Sequence, residues 1–522
     1  MRTLSKLSQI LISSYSRQHL PNLENKISVN PVVAELASWY EKFRTAMDYR
    51  EDEVILRSAI ERILKRRLLF SNDGLTVAAP LIRELVWARY FPDLTVPETQ
   101  VQKVAHTIDL FLRLEKEINR EHRIGANIVN EWILHILSSE IEDILKPGNR
   151  KDLMANFIFQ LFKDRIEITD DTREVKDIQL YIAVRRAYAN DDLALLRYRL
   201  FKQYFGAVSG HNIEKISDQF LNAIKHFETH FKYPLKDKIY NYINDQKVPF
   251  LILDDVLRKN QAQLSQLFSD EDSLNVAILE ACNNRYKAIK GKVGRAIVRS
   301  VVFIFVTKAL FALFVEGVFE RAFYGGIIWS SIALNTLTPP ILMILVGLSI
   351  QTPGKENSYR IMGKINSILF EEDAQLNGPL TLRKKPAKTD PILDALFLIL
   401  WFATFALSFG AIIFILSKFQ VNPLSQAIFI FFLAIVSFIS YRVNKTAHMY
   451  ILRDKKESLY TIAFDFFFMP FIQVGRKLTS AVSQLNIFLF IFDFIIETPF
   501  KGIVAFFEQW LLFLRTQREK LD

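Results

Sequence analysis

Four stretches in the second half of this chain are nearly free of charge over about the length of a bilayer-crossing helix, and that feature limits the fold more than any other. Residues 301–319 are apolar apart from Thr307, Lys308 and Glu316, and residues 326–350 carry no charge and include Pro339-Pro340. Residues 392–416 hold one acidic group, Asp394, near their start, and 424–441 hold none. About 20 helical residues cross the ~30 Å of hydrocarbon in a bilayer, and only helices or closed barrels satisfy their backbone there. The spacing predicts four transmembrane helices at about 301–320, 326–350, 392–417 and 424–441, set as two hairpins.

Basic residues flank these runs on one side. Lys287, Lys290, Lys292, Arg295 and Arg299 precede the first, and Arg442, Lys445, Arg453, Lys455 and Lys456 follow the fourth. The segment 351–390 contains Lys355, Arg360, Lys364, Arg383, Lys384, Lys385 and Lys388 and is expected to be a cytoplasmic loop. The opposite turns, 320–325 and 417–423, have only Arg321 and Lys418 as cations. Positive charge stays inside, so both termini are expected in the cytoplasm of a multi-pass cytoplasmic (inner) membrane protein. The formal charge of +10 is explained by topology and anionic lipid, and no nucleic-acid partner is expected. Met1–Leu20 lacks the continuous apolar core of a cleavable signal, which agrees with that placement.

The first half reads as amphipathic helices. Leu56, Ile60, Ile63 and Leu64 in one run, and Val104, Ile108, Phe111, Leu114 and Ile118 in another, recur at three- and four-residue spacing. Breaks are expected at Asn72-Asp73-Gly74, Phe91-Pro92-Asp93, Lys146-Pro147-Gly148, Tyr233-Pro234 and Val248-Pro249. Arg165–Ile168 is the one short strand candidate. The fold class is therefore all-α: helical cytoplasmic subdomains at 1–147 and 148–295, a four-helix membrane region at 296–442, and aromatic amphipathic helices at 443–522. Those last helices are expected to lie in the membrane interface or to re-enter it, because 459–474 contains Asp465 and Pro470 while 485–514 is interrupted by Asp493, Glu497, Pro499, Lys501 and Glu508.

Charges inside spans are the main pointers to chemistry, since an unpaired one costs about 2.5–3.5 kcal/mol or more at the bilayer centre. Lys308 and Glu316 stand on nearly one face but two turns apart, a separation that predicts no direct contact. In one reading each snorkels to its nearer interface. In another they join Asn335 of the second span in a polar site beside Pro339-Pro340, as in broken-helix transporters. A third has them bonding helix to helix. Asp465, Asp493 and Glu497 are candidate interfacial carboxylates, or simply the wet side of interfacial helices. His226-x-x-x-His230 has two-histidine spacing without a third ligand. Cys282 is the only cysteine, and no phosphate-binding, nucleophile-elbow or kinase pattern occurs. No catalytic, cofactor-binding or metal-ligating residue is assigned, no cofactor is expected, and enzymatic activity has no support.

The C-terminal half, 296–522, resembles an uncharacterised family of bacterial polytopic inner-membrane proteins. The residues that carry the likeness are Thr307-Lys308-Ala309-Leu310 with Glu316, Thr338-Pro339-Pro340-Ile341-Leu342-Met343, the run from Phe492-Asp493-Phe494 to Pro499-Phe500-Lys501, and Glu508-Gln509-Trp510. The resemblance implies a bacterial cytoplasmic membrane and brings no activity with it. The expected role is a membrane protein whose cytoplasmic helical domain mediates association with a protein partner or with itself, the membrane half acting as anchor and scaffold. The alternatives are an oligomeric channel or transporter built on Lys308, Glu316 and Asn335, or a lipid-handling protein. Membrane lipids are expected partners in each case.

Overall fold

The computed structural model describes residues 3–16, 34–35, 37–38, 41, 55–121, 126–146, 150–326, 329–372, 378–384, 391–419, 421–452, 459–483 and scattered positions between 502 and 517. These are almost entirely helical and divide into two units.

The first unit contains α1 (Lys6–Ser16), α2 (Ile55–Arg67), α3 (Gly74–Trp87), α4 (Glu98–Glu121), α5 (Ala126–Leu145), α6 (Arg150–Phe162), α7 (Arg173–Val184), α8 (Leu193–Phe205), α9 (Ile213–Phe231), α10 (Lys236–Gln246) and α11 (Val248–Lys259). The breaks follow local chemistry. Asp73 caps α3 by accepting from the Thr76 backbone N–H at 2.9 Å. Gly74 is required behind it, because a Cβ there would lie 2.2 Å from the Ala105 carbonyl oxygen. Pro249 sits in the first turn of α11, where its missing N–H is harmless.

Ile60, Ile63, Leu81, Ile108 and Trp132 share one core with Tyr198, Phe220 and Phe227, so apolar packing is continuous between 55–145 and 182–227. Each such side chain contributes about 1.5–3 kcal/mol on full burial. Pro147-Gly148, the expected seam, lies outside the described residues. Ion pairs anchored by buried arginines brace this unit. Arg197 reaches Glu131 at 2.7 Å and Glu228 at 2.9 Å while stacking over Trp132, and Arg185 bridges Asp152 and Asp191.

The strand candidate forms β1 (Ile166–Ile168). It pairs in parallel with β2 (Leu380–Leu382), Ile166 opposite Leu380 and Ile168 opposite Leu382. Segment 351–390, expected as a loop, thus supplies a strand, and it also carries a helix from Lys355 to Phe370 with Ile361, Ile365, Ile368 and Leu369 buried at helical spacing. The density of lysine and arginine masked that period. In chain order the short α12 (Leu264–Ser269) comes before the second unit's long helix, and Lys355–Phe370 is α16.

The second unit is built on α13 (Glu271–Phe311), a π-helical turn (Ala312–Glu316) and α14 (Gly317–Tyr324), a continuous 54-residue helix. It runs through Arg295 and Ala296 without a break. Around it stand α15 (Trp329–Ser349), α17 (Pro391–Lys418), α18 (Pro423–Ala447) and α19 (Leu459–Ser483). Three helices among the described residues are long and apolar enough to cross a membrane: Glu271–Tyr324, Pro391–Lys418 and Pro423–Ala447. Within α15 the apolar stretch Asn335–Ser349 is shorter.

α13, α15 and α18 pack against one another, and α19 lies against α17 and α18. The approach is close at two glycines. A Cβ on Gly475 would lie 2.1 Å from the Ala434 carbonyl oxygen, and one on Gly347 would meet the Ile297 side chain at 2.7 Å. Small residues that admit such contact are how helices associate in lipid. Phe471 of α19 is fully enclosed, its ring 4.6 Å from that of Phe409.

Candidate functional site

From residue 301 to 320 the composite helix α13–α14 carries its charged groups on its buried side and is apolar on its exposed side. Ile304, Lys308, Ala312, Glu316 and Glu320 are buried, whereas Val302, Phe303, Leu313, Phe314, Val318 and Phe323 are exposed. A water-soluble helix shows the reverse pattern. Polar groups enclosed by protein beneath an apolar exterior are what a hydrocarbon solvent selects.

Lys308 and Glu316 are each 0% exposed, and the Lys308 ammonium donates to the Glu316 carboxylate. Direct contact between them corrects the expectation from spacing, and so does their enclosure, since neither snorkels to a surface. The reason is the π turn between them. Four-residue steps drift about 40° around a regular helix, and the wider turn takes back part of that drift. Glu316 is thereby kept on the Lys308 face, within reach of the four-carbon lysine stem.

Asn335 of α15, 3% exposed, completes the centre by donating from Nδ2 to Glu316 Oε2 at 3.0 Å and to the Ser425 carbonyl oxygen at 3.3 Å. The Lys308 ammonium also lies 5.4 Å from the centre of the Phe432 ring, a cation–π distance. The three residues singled out from sequence are therefore in one place.

Other members were not foreseen. Glu320 was assigned to the outer turn, but α14 continues through it and it is 0% exposed. Asn422 donates to Glu320 from Nδ2 at 2.9 Å, and its Oδ1 caps α18 by accepting from the Ser425 N–H at 2.8 Å. The signals were present: Glu320 follows Glu316 by four residues, and Asn422-Pro423 is a helix-start pair. Ser425 had no sequence signal beyond its neighbourhood.

The interfacial carboxylates fall outside what the structure describes. Asp465 lies on α19 but its side chain is outside the described residues, as are Asp493 and Glu497 entirely. His226 and His230 do meet, Nε2 to Nε2 at 3.4 Å, and His230 Nδ1 lies 3.3 Å from Gln179. Among the described residues no cluster of three or more metal-ligating side chains occurs.

Comparison with known protein families, curated proteins and solved structures gave no match. The function has to be argued from the centre itself.

Proposed function

We propose that this chain is a polytopic protein of the cytoplasmic membrane, crossing it four times with both termini inside, and that its Lys308–Glu316–Asn335 centre handles ions as part of an oligomeric channel or transporter. The observation that carries this reading is the enclosure of an ion pair under an apolar exterior. An anchor has no use for it. Replacing a buried ion pair by well-packed apolar residues is often neutral or stabilising by about 1–4 kcal/mol, so a span selected only to hold a protein in the membrane does better without one. The π turn supports the same reading, because such turns inside helices are frequent at functional positions. The fourth crossing is assigned to α15, 21 residues long, whose charge-free sequence matches the other spans. The test is ion flux into liposomes containing the purified protein. Flux that disappears on Lys308→Ala and on Glu316→Gln supports the reading; flux untouched by both removes the centre from the mechanism.

A second reading keeps the association role for the helical first unit. Leu69, Phe70 and Leu75 are exposed at the turn between α2 and α3, Phe70 at 77%. Exposed apolar groups gathered at one turn favour a protein contact. Loss of self-association or of a captured partner on Phe70→Ser supports it, and unchanged assembly counts against it.

A further inference from the structure

Asn335 has both amide hydrogens committed, one to Glu316 Oε2 and one to the Ser425 carbonyl. Both partners are acceptors, so the neighbours fix which end of the amide is nitrogen. Its Oδ1 is then enclosed with no hydrogen-bond partner among the described residues. Ser425 Oγ, on a residue 1% exposed, is in the same position. The two residues adjoin, since the Asn335 amide bonds the Ser425 backbone. An enclosed oxygen without a partner costs about 1–3 kcal/mol. The amide oxygen carries no proton, so only a donor or a cation relieves it.

The chemistry of the set narrows the choice. A carboxylate oxygen, an amide oxygen and a hydroxyl are hard donors that suit hard cations. The single carboxylate already faces the Lys308 ammonium, which weighs against a divalent ion. Resting on the ion-handling reading above, we propose that Glu316, Asn335 and Ser425 form a binding site for a monovalent cation of sodium size, with Lys308 competing for the same carboxylate. Glu320, one turn further along, places a second carboxylate on the same helix face. When the cation takes Glu316, Lys308 yields its bond, so binding is coupled to movement of an internal charge.

The experiment is thermal unfolding of the full chain in nanodiscs, titrated with sodium chloride, potassium chloride or choline chloride at constant ionic strength. Binding to the native state raises the melting temperature in proportion to ln(1 + [Na⁺]/Kd). The expected result is a saturable rise with sodium that potassium and choline do not reproduce. Ser425→Ala is the informative variant, because its hydroxyl holds no partner among the described residues. It should keep or raise the melting temperature in choline, since an enclosed unpartnered hydroxyl is removed, and weaken sodium about tenfold. Identical behaviour in all three salts, equal stabilisation by potassium, or a sodium response that Ser425→Ala leaves intact each overturns the proposal, the last two assigning the pocket to an unselective cation or to water. Flux separates the two readings. Sodium stabilisation without flux retains the site and overturns transport. Proton flux insensitive to sodium and to Ser425→Ala retains transport and overturns the sodium site.

Discussion

The Lys308 ammonium meets the Glu316 carboxylate across eight residues of one continuous helix, and protein encloses both. Removing one partner leaves the other buried and uncompensated. Lys308→Met alone is expected to cost about 3–5 kcal/mol of unfolding free energy. The double variant Lys308→Met/Glu316→Gln should recover most of that loss, since the introduced side-chain amide oxygen still accepts from Asn335. Steric-trapping or detergent-unfolding equilibria of the parent, the single variants and the double variant check this; a double variant as unstable as the sum of the singles would mean the pair is not a unit.

The proposed four crossings make a labelling prediction. In a Cys282→Ser background, Phe323→Cys should react with a membrane-impermeant maleimide on intact cells, and Lys355→Cys only after permeabilisation. Both positions are exposed. The reverse pattern would invert the orientation, and labelling of both on intact cells would break the hairpin arrangement.

Glycine is required at Gly475 and not at Gly410. A side chain at Gly475 runs into the backbone of α18, whereas nothing lies within 4 Å of a Cβ on Gly410. Gly475→Val should separate α18 from α19 and lower the melting temperature in nanodiscs sharply. Gly410→Ala should be neutral or slightly stabilising, by up to about 1 kcal/mol. Equal effects would mean that α19 does not dock in this way.

In the first unit, Glu142 on α5 has Oε2 enclosed without a hydrogen-bond partner among the described residues. Burial raises its carboxyl to about 7, against the pull of Lys146 and Arg57. Between its ordinary 4.5 and about 7 the folded state keeps a proton that the unfolded chain has lost. Native stability therefore declines as pH rises through that window, and the full penalty applies above it. Glu142→Gln should match the parent near pH 4 and melt higher at pH 8. A difference between the two that does not change with pH would remove Glu142 as the cause.

Much of this was readable in advance for definite reasons. Helix breaks at Asp73-Gly74 and Val248-Pro249 are set by caps and proline, which act over a few residues. The long apolar runs needed only length and composition. The association of Lys308, Glu316 and Asn335 could be suspected, because intramembrane charges seek partners, but not its contact geometry. That depends on a π turn, and 312–316 contains no glycine or proline to announce one. β2 was invisible for another reason: a three-residue strand is defined by β1, more than two hundred residues away. Asn422 and Ser425 entered the centre only through the packing of α18, which periodicity does not specify.

A π turn is a regular helix holding one residue more than its register needs. Deleting Leu313 would leave a regular helix in which Glu316 stands seven residues after Lys308, within about 20° of the same face, so everything beyond keeps its direction. Glu316 and Glu320 would then stay on the enclosed side, and membrane insertion of that deletion equal to the parent's would show it; a drop would mean that the π turn itself is needed. The ion pair is thus written as a phase: the added residue lets a separation of eight behave like one of seven.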